Sequence, residues 1–105
     1  MQSPACLLVR AEVREAADVP KFDEWYEKEH LPDAKAAFNA VRAWRCWAST
    51  TPGIHHAYYE FPSEAAAMAI LETDAIKELI AEFDRVWGNQ VYRTREILKV
   101  AGRLE

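Results

Sequence analysis

Along this chain, apolar residues first run together, then recur at helical spacing, and the change of period marks out the elements. Residues 5–13 form a short apolar run with partial alternation, the pattern of a strand. Asp18 is placed to cap a helix, with Val19 and Pro20 in the first turn, where a missing N–H costs little. The spacing after it predicts a helix with Phe22, Trp25, Tyr26 and Glu29 on one face. Leu31-Pro32 is expected to interrupt that helix, because the residue before proline avoids helical angles. Pro32 then opens a second short helix through Ala34, Ala37 and Phe38. Residues 41–49 and 54–61 read as two strands, and the Thr51-Pro52-Gly53 turn signal between them makes an antiparallel hairpin. Ser63 is expected to cap the alanine-rich helix that follows. Past Thr73-Asp74, residues Ile76, Leu79, Ile80, Phe83, Val86 and Trp87 recur at helical spacing, and Gly88 supplies the stop. Residues 91–100 close the chain as a fourth strand.

Two β–α–β halves around a central hairpin predict a ferredoxin-like βαββαβ sandwich, with four antiparallel strands and the helices on one face. The expected strand order is 4-1-3-2. In that order Cys6 and Cys46 lie roughly 9–10 Å apart, about two strand spacings and too far for a disulfide. Both are expected to be free and buried. The strands are apolar on both alternations: Leu7, Val9, Ala11 and Val13 oppose Cys6 and Leu8, while Ala57, Tyr59 and Phe61 oppose Ile54 and Tyr58. An antiparallel sheet with one face in water should instead alternate with polar residues. The uncovered face therefore calls for a partner, and sheet-to-sheet contact between two copies is the expected homodimer.

Length and charge narrow the function. The 105 residues fit one domain, residues 1–105, of which 50% are hydrophobic and 29% charged. The formal net charge is −4 and the basic residues are scattered, so neither nucleic acid nor an anionic membrane is the expected partner. No apolar run reaches the length of a membrane helix, and Met1 to Pro4 lacks the basic and apolar regions of a signal peptide. A cytoplasmic location is the expectation. No His/carboxylate set has metal-site spacing, and three glycines without a phosphate-loop motif argue against a nucleotide, so no cofactor or metal is expected.

The stretch Phe22-Asp23-Glu24-Trp25-Tyr26-Glu27-Lys28-Glu29-His30-Leu31-Pro32-Asp33 resembles the first-helix signature of EthD-like proteins in the dimeric α+β barrel superfamily: an aromatic pair, an acid, then His-Leu-Pro. The resemblance implies a homodimer with a ligand cleft between helices and sheet in each subunit. It also implies relatives acting on small organic molecules, among them isomerases, cyclases, oxygenases and haem-degrading enzymes. Fold analogy alone does not choose among them.

Among single residues, His30 is the leading candidate, as a general acid/base assisted by Tyr26. The plain alternative is a helix-end histidine that bonds a free carbonyl. Glu29 is expected in the middle of the apolar face, as a buried acid or, in the plainer reading, paired or turned outward. Trp25, Trp44, Trp47, Tyr58, Tyr59, Phe83 and Trp87 could line a pocket for a flat small organic ligand, with Tyr26, Tyr59 and Trp47 foremost, or be core and interface. Arg45 could hold a carboxylate or phenolate, or form an ion pair. Arg93 and Arg95 share one face of the last strand and are expected to be solvated or interfacial. His55 and His56 point to opposite faces. Three functions follow: a cofactor-independent enzyme of isomerisation or cyclisation, a non-catalytic accessory dimer of a catabolic pathway, and a haem-binding or haem-degrading protein.

Overall fold

A computed structural model describes residues 3–104. Its elements are β1 (Ala5–Val13), a 3-10 turn (Ala16–Asp18), α1 (Val19–Trp25), a wide π-turn (Tyr26–His30), α2 (Leu31–Phe38), β2 (Arg42–Trp47), β3 (Ile54–Phe61), α3 (Glu64–Ile70), α4 (Asp74–Trp87), a short 3-10 turn (Gly88–Gln90) and β4 (Val91–Lys99). The sheet is antiparallel in the order β2-β3-β1-β4, as the sequence predicts. The chain has the ferredoxin-like α+β fold.

Local chemistry sets the boundaries. The Ser63 hydroxyl accepts the Ala66 N–H at 3.1 Å and caps α3. Thr73 caps α4 through Ile76 N–H, while its own hydroxyl donates to the Ile70 carbonyl at 2.7 Å. One residue thus closes α3 and opens α4. In the hairpin turn, Gly53 adopts φ +80°, and its carbonyl accepts the Val13 N–H at 2.9 Å. A Cβ there would meet the Val13 carbonyl oxygen at 2.7 Å, so only glycine fits. Asp18, by contrast, does not cap α1. Its backbone is already helical within the 3-10 turn, and its carboxylate instead accepts from Gln90 at 3.3 Å.

The helix does not break at Leu31-Pro32. It widens for one turn, with Leu31 N–H donating to the Tyr26 carbonyl five residues back. Proline removes a donor and crowds the carbonyl four residues before it, and a π-turn accommodates both without ending the helix. The widening also moves the apolar stripe by one residue. Phe22 and Tyr26 stay inside, but the next inward position is His30, and Glu29 is exposed. The expectation of Glu29 on the apolar face fails for this reason.

One face of the sheet meets the helices through Leu7, Val9, Ala11, Ala57, Tyr59 and Val91. Phe22 is fully buried at its centre, with rings of Tyr26, His55, Trp47, Phe83 and Trp87 within 6.0 Å of its centroid. The opposite face carries Leu8, Arg10, Trp44, Cys46, His56, Tyr58, Tyr92 and Leu98 by the pairing register. Trp44 stacks on Tyr58 there at 5.1 Å and 9°. Cys6 is buried, but Cys46 is exposed on this face of the single chain, which corrects the expectation of two buried thiols. Both are free.

Candidate functional site

Between the helix layer and the sheet lies a small, partly open cavity of about 20 Å³, room for about one water molecule. Its walls are Leu7 and Val9 of β1, Ala34 and Phe38 of α2, and Ile76, Leu79 and Ile80 of α4. Five polar side chains converge on it: Tyr26, His30, Tyr59, Arg93 and Arg95. Small-molecule sites combine apolar walls with a few converging polar groups in this way, at volumes of roughly 300–1,000 Å³; this cavity has that chemistry in a far smaller space.

The π-turn delivers His30. Its ring is 7% exposed, stacks on Trp25 at 4.7 Å and 19°, and meets Tyr26 and Phe83 edge-on. Its Nδ1 is buried and has no hydrogen-bond partner among the described residues. Burial, and secondarily the Arg93 charge, lower its pKa from 6.5 to about 4, so the imidazole is neutral at neutral pH. A neutral imidazole can take up a proton; an imidazolium cannot.

Tyr26 and Tyr59 face each other, one from the π-turn and one from β3, with hydroxyls 3.1 Å apart. Burial raises the Tyr26 pKa to about 12 and holds Tyr59 well above its ordinary value. Two neutral hydroxyls that share one hydrogen bond leave one O–H for a ligand oxygen. On β4, Arg93 lies with its guanidinium 3.7 Å from the Phe83 ring centroid and donates to Asp84 at 2.9 Å. Burial and the neighbouring Arg95 lower its pKa to about 10, which leaves it cationic at neutral pH. Arg95 is lowered too, chiefly by burial.

Arg45 and Trp47 stand apart from the cavity in a second polar cluster. From β2, Arg45 Nε donates to His55 Nε2 at 3.1 Å and Nη1 donates to Glu27 at 3.0 Å, while Nη2 pairs with Asp23. Trp47 Nε1 donates to the same Asp23 carboxylate at 2.6 Å. These two bonds hold Asp23 below the usual carboxylate range. His55 is fully enclosed beneath Tyr26 and Phe22, and burial with the Arg45 charge lowers its pKa to about 3. The cluster ties the α1 end to the hairpin, and its guanidinium is already engaged.

The residues named from sequence therefore separate into groups. Tyr26, His30 and Tyr59 come together on the cavity. Trp25, Phe83 and Trp87 pack around them as supporting aromatic core. Arg45 and Trp47 belong to the ion-pair cluster, and Glu29 lies outside, along a shallow surface groove with Lys21, Glu24, Trp25 and Lys28. Arg93 and Arg95, expected to be solvated or interfacial, both line the cavity; Arg93 is half-buried there, while Arg95 is exposed to solvent as expected. The signal was in the alternation: Val91 and Ile97 have their parity and both pack toward the helices.

No family model matches the chain, and no curated protein matches its sequence. Solved structures do match its fold. A candidate antibiotic biosynthesis monooxygenase from Caulobacter crescentus aligns over 96% of this chain and 92% of its own, with TM-score 0.67 and 15% identity. HapK from Hahella chejuensis aligns over 94% and 92%, with TM-score 0.65 and 17% identity. A dimeric ferredoxin-like protein from an uncultured marine organism aligns over 98% and 100%, with TM-score 0.57 and 10% identity. At these identities the likeness establishes the shared ferredoxin-like α+β fold. Among the described residues, no helix is long and apolar enough to cross a membrane, and no cluster of three or more His, Cys, Asp or Glu side chains could hold a metal ion.

Proposed function

We propose that this chain binds a small carbonyl or aromatic compound in the helix–sheet cavity and transfers a proton on it, as an isomerase or cyclase does. The carrying observation is the neutral His30 imidazole, its Nδ1 without a hydrogen-bond partner among the described residues, on the same cavity as the Tyr26–Tyr59 hydroxyl pair. In the first step a C–H or O–H proton of the bound compound passes to the imidazole. Its electron pair delocalises onto the carbonyl oxygen, which accepts the remaining tyrosine O–H. Return of the proton to a different atom completes an isomerisation with no net redox change. Leu79 and Ile80 of α4 wall the chamber and are themselves only half-buried. The small resting volume therefore favours compact substrates.

In the same reading, the second sheet face is covered by another copy of the chain. Trp44 is 38% exposed and Tyr92 50% exposed, with Tyr58, Leu8 and Leu98 beside them. One fold relative is itself a dimeric protein. That this relative pairs and that the first helix resembles the EthD-like signature both support a dimeric α+β barrel. A haem reading is less favoured, because Trp25 and Phe83 cover the His30 ring where an axial ligand would need a free approach.

The test is solvent deuterium exchange. Acetylacetone, phenylacetone and phenylpyruvate are incubated in D₂O with the protein, and loss of their α-proton signals is followed by NMR. Exchange that the wild type accelerates and His30→Gln does not supports proton transfer. Saturable binding with no acceleration of exchange would assign the accessory role instead.

A further inference from the structure

The cavity has an imbalance of charge. Two guanidinium groups, Arg93 and Arg95, line it, and none of its lining residues is a carboxylate. Arg93 has one anionic partner, Asp84, which sits on α4 with a side chain 62% exposed and facing solvent. Arg95 makes no ion pair among the described residues with a carboxylate within 4.0 Å, and Asp84 reaches it only through its field. The two arginines are next-but-one on β4, on the helix side, so their Cα atoms are roughly 7 Å apart. Arg93, its side chain 11% exposed, pays for desolvation with one exposed carboxylate as partner, unlike Arg45, which has three acceptors nearby, while Arg95 is exposed to solvent where the cavity meets the surface. A half-buried cation with one solvent-facing partner, and a second guanidinium exposed beside it on the same cavity, leave room for an anion between them.

We propose that Arg93 and Arg95 form an anion clamp, and that the ligand of this cavity is a small carboxylate with an apolar body. This rests on the cavity being the ligand site. The carboxylate lies across the two guanidinium groups, which present donors in the fork geometry carboxylates accept. The apolar body extends between Ala34 and Phe38 of α2 and Ile76, Leu79 and Ile80 of α4. That orientation brings the carbon next to the carboxylate toward His30 and the tyrosine pair. The clamp also couples to the chemistry. Arg93 is the one charged group that lowers His30, whose other neighbours are Trp25, Tyr26 and Phe83. A carboxylate that neutralises Arg93 raises the imidazole toward the range of an effective base.

Matched ligand pairs test this. Phenylacetate and phenylacetamide, and 3-phenylpropionate and its amide, are titrated into the wild type, Arg95→Gln, Arg95→Lys and Arg93→Gln. Binding is read by calorimetry and by the side-chain resonances of His30. Each carboxylate is expected to bind about tenfold or more tighter than its amide, the scale of a charge-assisted hydrogen bond. Arg95→Gln should remove most of that preference with the fold intact, and Arg95→Lys should restore part of it. Equal affinity for acid and amide, or a preference that survives Arg95→Gln, overturns the clamp while leaving the cavity as a ligand site. If neither member of any pair perturbs His30 up to its solubility limit, the clamp and the cavity reading fall together.

Discussion

Acid should destabilise this protein well above the pH at which its carboxylates titrate, and His30 should account for about half of the effect. A histidine whose folded pKa is depressed binds its proton more readily in the unfolded chain. Its stabilising contribution is full above the unfolded value, falls as pH drops below it, and is entirely lost below the folded value. For His30 the window runs from 6.5 down to about 4, and for His55 from 6.5 down to about 3. At pH 5 nearly all unfolded histidine is protonated and nearly all folded His30 is not, so the loss relative to pH 7.5 is about 2 kcal/mol. His55 contributes a similar loss of about 2 kcal/mol, for a sum near 4 kcal/mol. A domain this size has a total stability of about 5–15 kcal/mol, so the loss is large. Asp23, also lowered, acts in the same direction but only near and below its ordinary value of 3.8. Urea unfolding of wild type and His30→Gln at pH 7.5 and pH 5 measures the difference. The substitution removes the titration, so the loss on acidification should shrink by about half, whatever it does to stability at pH 7.5. A variant that retains the full wild-type loss would show that His30 is not buried in its neutral form.

Three further outcomes follow from the packing. Phe22→Ala removes the ring around which five others gather, and should cost about 3–5 kcal/mol in chemical denaturation. Tyr26→Phe deletes one hydroxyl of the buried pair, should cost about 1 kcal/mol, and should slow exchange without unfolding the domain. Trp44→Glu places a charge on the edge strand of the uncovered sheet face, and should leave a monomer where the wild type sediments as the proposed dimer, with little change in far-UV circular dichroism.

How far the sequence foretold this structure depended on which periods were constant. The hairpin and the Ser63 cap could be read directly, because period-two alternation, a turn signal and a capping hydroxyl act locally, whereas the strand order came from the topology that the element order implied. Glu29 and His30 could not be placed, because a helical wheel assumes one period throughout and the π-turn at Tyr26–His30 advances it by a residue. Pro32 announced a disturbance there but not its kind, since breaking and widening both relieve the same clash. Arg93 was misplaced for another reason. Charge suggested solvent, while the parity of Val91 and Ile97 pointed to the helix layer; parity decided for half-buried Arg93, and Arg95 satisfies both, on the helix side yet exposed. Arg45 was ambiguous because its acceptors, Asp23 and Glu27, lie about twenty residues away in the chain and meet it only in the fold.

The three histidines report on three different places, which makes them the best test of where the ligand binds. His30 lines the cavity, His55 is enclosed beneath Tyr26, and His56 lies on the opposite face of the sheet. With ¹⁵N-labelled histidine, the side-chain resonances can be followed as phenylpyruvate is added. The account predicts that His30 shifts saturably and that His56 does not move. A saturable shift of His56 with His30 unchanged would put the ligand on the far sheet face and contradict it.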